Sequence, residues 1–323
     1  MLKRILLPLL LPAAMFSAPT WLLIRTTDGT QVEGQSQIKS VRITSGGRAV
    51  DLKIGQVLSI HNGAAASETE AGRIKSGIAA IQGQDRKARD LAVEELTSIG
   101  LPVMTPLIDT YKDTDQHEPR PLYRLFERIM PSYADDFDRG LSLIRLPNGE
   151  AMRGRLADAT IEVKTSSGET VKLQWAKIRT LAVRQAKVSR AMQVHSLKHS
   201  TQIEYFDTGV ALTAASKVDS TARGIVRLSW ATDSWASDAN GLTKPGSPSY
   251  KSHLFEGQPF GALVGRTAPD GEVFFVGKKF AKSGLKPGRL ALAVNDNKHW
   301  QNNLGTFFVN MTVTDAYDLG DGQ

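Results

Sequence analysis

The 323-residue chain contains no cysteine, which removes disulfide scaffolds, thiol nucleophiles and cysteine metal sites together. Several catalytic signatures are missing as well. No G-x-S-x-G elbow is present to expose a nucleophilic serine, and the glycine-rich segments lack the strand-to-helix setting and Lys-Ser/Thr ending of a phosphate loop. No acid/base set can be assigned, so the chain is expected not to be an enzyme. Runs of lysine and arginine interleaved with aromatics are also absent. The net charge of +7 therefore reads as a basic, solvated surface, and no specific nucleic-acid partner is expected. Beyond the N-terminus no apolar run approaches membrane-spanning length, so no transmembrane span is expected once a signal segment is removed. A hydrophobic fraction of 41% and a charged fraction of 23% sit near globular averages and argue against a wholly disordered chain.

What is present begins with a leader. Lys3 and Arg4 precede an apolar run from Ile5 to Phe16, and small residues follow at Ser17 and Ala18. That order is the pattern of a secretory signal peptide, expected over residues 1–18. The protein is accordingly expected to be exported: periplasmic, secreted or at the cell surface.

The next feature is an internal duplication. IRTTDGTQVEG, residues 24–34, aligns without a gap on IRLPNGEAMRG, residues 144–154. VRIT at 41–44 matches IEVK at 161–164, and LKIGQVLSI at 52–60 matches LQWAKIRTL at 173–181 after a one-residue shift. Both copies alternate apolar and polar residues in short runs broken by Asp28-Gly29, Gly46-Gly47, Asn148-Gly149 and Ser167-Gly168, which are hairpin signals. Each copy is expected to hold about four short antiparallel strands. A unit this small buries little alone, so the copies either pair with each other or pack on what lies between them.

Between them the period changes. Ala88, Leu91, Ala92, Leu96 and Ile99 recur at spacings of three and four, the stripe of an amphipathic helix. Gly100 and Pro102 end it, Pro106 suits the first turn of the next helix, and LYRLFERIM at 122–130 suits a third. The helix, Gly-x-Pro turn and second helix resemble a HEAT-type repeat, which implies either a spacer covering a sheet face or a surface that docks an envelope protein partner.

The expected organisation is a signal peptide at 1–18, a first β unit at 19–63, a helical HEAT-like insert at 64–131 and a second β unit at 132–188. A polar, basic linker at 189–200 leads to an antiparallel β-sandwich or jelly roll at 201–314, with a polar tail at 315–323. The fold class is mainly β with a helical insert, an α+β multidomain chain. The sandwich is inferred from six or more short strand-like runs separated by turn residues after Ile203.

Five stretches of that last unit recur in a known order: FDTGVAL, SWATDSWASDANG, FGALVGRTAPDGEVFFVG, GRLALAVNDN and NNLGTFFV. In this order they resemble the PA-IL-type galactophilic bacterial lectins, over about the C-terminal third of the chain. The resemblance implies a noncatalytic glycan- or polysaccharide-binding module in which Ca2+ links the protein to sugar hydroxyls. Asp296, Asn302 and Asn303 stand at that family's ligating side chains. Backbone carbonyl ligands would come from near Asp233 and from near His299 or Trp300. Trp300 or Trp235 would pack on the sugar ring, with His253 a loose counterpart of a sugar-contacting histidine and Gln258 of a glutamine. The interval from Asp296 to Asn302 is one residue shorter than the family's, so the loop carbonyl does not carry over directly.

The residues agree with that implication on chemical grounds. Calcium takes six to eight oxygens, and carboxylates, amides, carbonyls and water all qualify. One carboxylate among several amides leaves the ion electrophilic toward neutral hydroxyls. The competing reading is a hairpin in which Asn295 and Asn297 cap their own turn. His195 and His199 are spaced as zinc ligands on one helix face, yet lack a third ligand nearby, and read as a solvated pair in the linker.

Overall fold

The structure is a computed structural model, and it describes residues 19–113, 125, 129, 140–201, 205–229, 235–242, 258–268, 271–296 and 302–320. Strand accounts for 51% and helix for 19%, so the protein is mainly β with a helical insert.

The duplicated sequence folds as five strands per copy. The first copy supplies β1 (Thr20–Thr26), β2 (Gln31–Ser36), β3 (Ser40–Ser45), β4 (Arg48–Lys53) and β5 (Ser59–His61). The second supplies β6 (Ser142–Arg145), β7 (Ala151–Leu156), β8 (Thr160–Thr165), β9 (Thr170–Gln174) and the start of β10 (Ile178–His195). Their pairing is exchanged. β2 pairs with β1 of its own copy and with β8 of the other, while β7 pairs with β6 of its own copy and with β3 of the other. β5 and β10 meet at the centre, with Ile60 opposite Leu181. The consequence is one core drawn from both copies, in which Leu22, Ile24, Ile43 and Ile60 lie against Ile144, Val163, Ile178 and Leu181. Neither copy could bury these residues alone.

The helical insert starts with a helix that the periodicity did not single out, α1 (Glu68–Gln82). Ser67 and Glu70 form a reciprocal capping box at its N-terminus. α2 (Arg86–Ile99) follows, capped by Asp85, and turns at Gly100, whose φ of +74° suits glycine. α3 (Met104–Asp113) completes the described run. Of the predicted stripe, Ala92, Leu96 and Ile99 are buried, while Leu91 faces solvent at 52% exposure. The helices bury Ile74, Ile78, Leu96, Met104 and Leu107 together with Leu143 of β6, so the insert shares its core with the second copy. Most of the segment 122–130 lies outside the described residues; Leu125 and Ile129 are helical and buried.

The first part of the stretch read as a linker, residues 189–195, is sheet instead. β10 runs unbroken out of the duplicated unit, and Arg184 to His195 pair with Tyr317 back to Thr306. Its exposed lysine and arginine positions gave it the look of a bridge, because a strand with one solvated face is half polar. β11 (Phe206–Arg223), β12 (Val226–Arg227), β13 (Ala236–Ser237), β14 (Leu263–Ala268), β15 (Phe274–Phe275), β16 (Lys279–Ser283), β17 (Gly288–Val294) and β18 (Leu304–Asp318) form the C-terminal β unit. β18 lies between β10 and β11, β11 continues to β16 and β17, and β17 pairs with β14. Phe307, Val309, Met311 and Val313 alternate inward along β18.

The polar tail also differs from expectation at its start. Ala316 and Tyr317 are buried, and the Tyr317 hydroxyl donates to Glu33 of β2 at 2.9 Å, tying the last strand to the first copy. Burial, followed by Glu33, pushes the phenol well above its ordinary pKa. Tyr317→Phe is expected to lower unfolding free energy by about 1.5–3 kcal/mol in urea titration, the range for a hydrogen bond to a charged partner.

Candidate functional site

β17 ends by delivering Asn295 and Asp296 into the interior, where their exposures are 0% and 1%. β18 begins just after Asn303, also 1% exposed. The turn that follows β10 closes this end of the unit. Ser196 donates through both its amide (3.1 Å) and its hydroxyl (3.0 Å) to the Gly305 carbonyl. Val294 donates to the His199 carbonyl at 2.8 Å, and Thr201 donates to the Val294 carbonyl at 3.0 Å. The base of the loop between β17 and β18 is thus pinned on both sides by backbone.

Inside this frame the Asp296 amide donates to the Thr201 hydroxyl at 3.1 Å. The Asp296 carboxylate accepts from the Asn303 side-chain nitrogen, which also donates to the Ser196 carbonyl at 3.2 Å. Asn295 donates its side-chain nitrogen to the carbonyls of Gln258 and Pro259, at 3.1 and 3.2 Å. These carbonyls are more than thirty residues away, so the Asn295 nitrogen does not cap its own turn; Asn297, the other residue of the competing reading, lies outside the described residues. With both nitrogens held by other groups, the amide oxygens Oδ1 of Asn295 and Oδ1 of Asn303 are buried without a hydrogen-bond partner. A buried oxygen left in that state costs about 1–3 kcal/mol, and native proteins tolerate few of them.

The donor set fits a hard cation. Asp296 supplies a buried carboxylate, and Asn303 sets an uncommitted carbonyl oxygen on the amide that touches it. Among the described residues no three of His, Asp and Glu gather in one place. The oxygens within reach of an ion here, among the described residues, are mostly neutral. Of the other sequence-predicted residues, Asn302 is half-buried in the turn that leads into Asn303. Trp235 packs edge-on against Phe260, ring centroids 6.3 Å apart, and accepts from the Leu228 amide through its carbonyl. Asp233, His253, His299 and Trp300 lie outside the described residues. Gln258, singled out for its side chain, enters here through its carbonyl, while Thr201, Ser196 and the Pro259 carbonyl had no signal in the sequence, because each reaches the site through main chain or a lone hydroxyl.

The histidine pair is folded into this end of the unit and is not a solvated linker pair. The His195 amide donates to His199 Nδ1 at 3.0 Å, and the Thr306 hydroxyl lies 2.7 Å from His195 Nδ1. Burial, then the charge of Lys198, lowers the His195 pKa.

No family model matches this chain, and no curated protein matches it. Among solved structures it is similar to one described as "EclA N-terminal domain; PllA-like lectin", at 23% identity and a TM-score of 0.30, covering 39% of this chain and 96% of that one. Among the described residues no single helix is long and apolar enough to cross a membrane.

Proposed function

We propose that this is an exported, noncatalytic carbohydrate-binding protein whose C-terminal β unit holds glycans with the help of calcium, and whose duplicated β unit and helical insert act as an adaptor. The observation that carries this reading is the buried Asp296 carboxylate in contact with Asn303, whose Oδ1 is uncommitted. Asp296, Asn302 and Asn303 would hold the ion, with main-chain carbonyls near Asp233 and His299 completing its shell. Bound there, calcium supplies a site for vicinal hydroxyls of a neutral sugar. The protein's own part is to fix the donors: Ser196 and Thr201 anchor the loop base, and the apolar face of a ring would rest on Trp235 or Trp300. The leader composition supports export, and exposed Leu91 on α2 is the kind of residue that an envelope protein partner would cover.

A ligand that binds only the native state must raise its stability. Calcium at about ten times its dissociation constant is expected to stabilise the protein by about 1.4 kcal/mol, read as a higher melting temperature. Asp296→Ala should abolish that response, and a glycan array should lose its signals in chelator. An unchanged melting temperature at millimolar calcium defeats the proposal. It would favour a second reading, a structural envelope protein that binds no sugar. That reading draws on the main-chain hydrogen bonds made by the side-chain nitrogens of Asn295 and Asn303, which hold the loop base without any ligand.

A further inference from the structure

A second site lies at the other end of the molecule's long strands. Where the duplicated unit, α2 and the end of β18 meet, they enclose a cavity of about 190 Å3. Three guanidinium-bearing residues from distant parts of the chain line it: Arg25 of β1, Arg145 of β6 and Arg289 of β17. Ser59, His61 and Thr97 line it too. Ser59 is 2% exposed, and its hydroxyl has no hydrogen-bond partner; the same holds for Nε2 of His61, Oγ1 of Thr97 and Nε of Arg289. The cavity wall therefore gathers polar groups that the protein itself does not satisfy.

Its charge is correspondingly crowded. Arg25 lies 3.6 Å from Glu95, but Arg73 already pairs with that carboxylate. Burial lowers the Arg25 pKa despite Glu95, and the charges of Arg73 and Arg289 add to the effect. Burial, then Arg145, pushes His61 down to about 4, so its ring is neutral in neutral solution. Asp207 and Glu33 also face the cavity, yet Asp207 accepts from Arg289 and Glu33 accepts from Tyr317. Gln31, Ser98 and Thr180 add further polar groups to the wall, and Leu23, Leu143 and Leu181 supply much of its apolar part.

We propose that this cavity binds a small organic carboxylate, its anionic end among Arg25, Arg145 and Arg289 and its short apolar body on Leu23, Leu143 and Leu181. Guanidinium groups match a carboxylate geometrically, and apolar surface beside placed polar groups suits the body of a small organic ligand. The leucines favour an organic anion over an inorganic one.

The test is calorimetric titration of the whole protein, in chelator, with hexanoate and separately with inorganic phosphate. Hexanoate is expected to bind at least tenfold more tightly than phosphate. Arg289→Met should weaken hexanoate tenfold or more. Thr97→Met retains every charge and fills the space, and should do the same, which keeps the proposal testable if loss of the Asp207 partner disturbs folding. Phosphate binding as tightly as hexanoate overturns the organic assignment. No hexanoate binding by the unaltered protein, or binding unaffected by both variants, overturns the site.

Discussion

Replacing Arg179 by methionine is expected to cost the folded state about 3–5 kcal/mol, measured by urea unfolding at neutral pH. Arg179 stands at the start of β10 and is 2% exposed, while Glu70 in the first turn of α1 is fully buried. The guanidinium donates to both Glu70 oxygens at 2.5 Å and to the carbonyls of Ala64 and Ala65 at 2.8 Å. It therefore joins the helical insert to the duplicated unit across 109 residues of sequence and satisfies the chain just before the helix. Losing it strands a buried carboxylate, which is the costly way to break such a pair. Removing both charges with Glu70→Leu in the same chain should recover part of the loss, because two buried ions are replaced by apolar volume.

The pH dependence distinguishes this from a simple packing defect. Burial alone would raise the Glu70 pKa, but hydrogen bonds from Arg179 and from the Ser67 amide outweigh it and hold the carboxyl below its ordinary value. A depressed pKa in the folded state contributes stability above the unfolded glutamate value of about 4.3, and that contribution is lost as pH falls through the folded value. In Arg179→Met only burial and the cap remain, so the pKa should move upward. The variant should then gain relative stability as pH falls from 7 toward 5, where the native protein shows no such gain. A variant whose stability runs parallel to the native protein across that range would show that the pair is not what links the two units.

None of this contact was legible in the sequence, since Glu70 and Arg179 each look like ordinary solvated charges. The capping box at Ser67 and Glu70 was legible in principle, and it marks α1, the helix that apolar periodicity alone passed over. The duplication was visible as aligned residues, yet its exchanged pairing was not. β2 and β7 carry the same alternation, so the pattern permits pairing within a copy as readily as between copies. β10 was misread from Ser189 to His195 because an edge with one wet face resembles a linker. At the C-terminal end the resemblance singled out Asp296, Asn302 and Asn303, and the structure places Asp296 against Asn303. The atoms that hold this end were not visible: the Ser196 carbonyl accepts from Asn303 and those of Gln258 and Pro259 accept from the neighbouring Asn295, and main-chain acceptors leave no mark on residue identity. The arginine-lined cavity was hidden for a related reason, because Arg25, Arg145 and Arg289 are spread over the whole chain.

The exchange between copies makes a second large effect predictable at two glycines. Gly34 and Gly154 occupy matching places in the duplication. A Cβ at Gly34 would lie 2.4 Å from the carbonyl oxygen of Lys164 and 2.8 Å from Val163, both on β8. A Cβ at Gly154 would lie 2.4 Å from the carbonyl oxygen of Thr44 and 2.5 Å from Ile43, both on β3. Lys164 and Thr44 are themselves matching residues, so the same crossing occurs twice. In each case the obstacle is backbone that carries the inter-copy ladder, and it cannot swing aside like a side chain. Gly34→Ala and Gly154→Ala are each expected to destabilise by about 3 kcal/mol, the upper end for overpacking, and by similar amounts to each other. Gly72→Ala, on the exposed face of α1 with open space around it, is the control and should stabilise by about 0.5–1 kcal/mol. If the two strand glycines instead behave like Gly72 in urea unfolding, the copies are not interleaved through β2 with β8 and β7 with β3. Unequal costs at Gly34 and Gly154 would mean that the two crossings differ in packing and that the symmetry ends at the level of sequence.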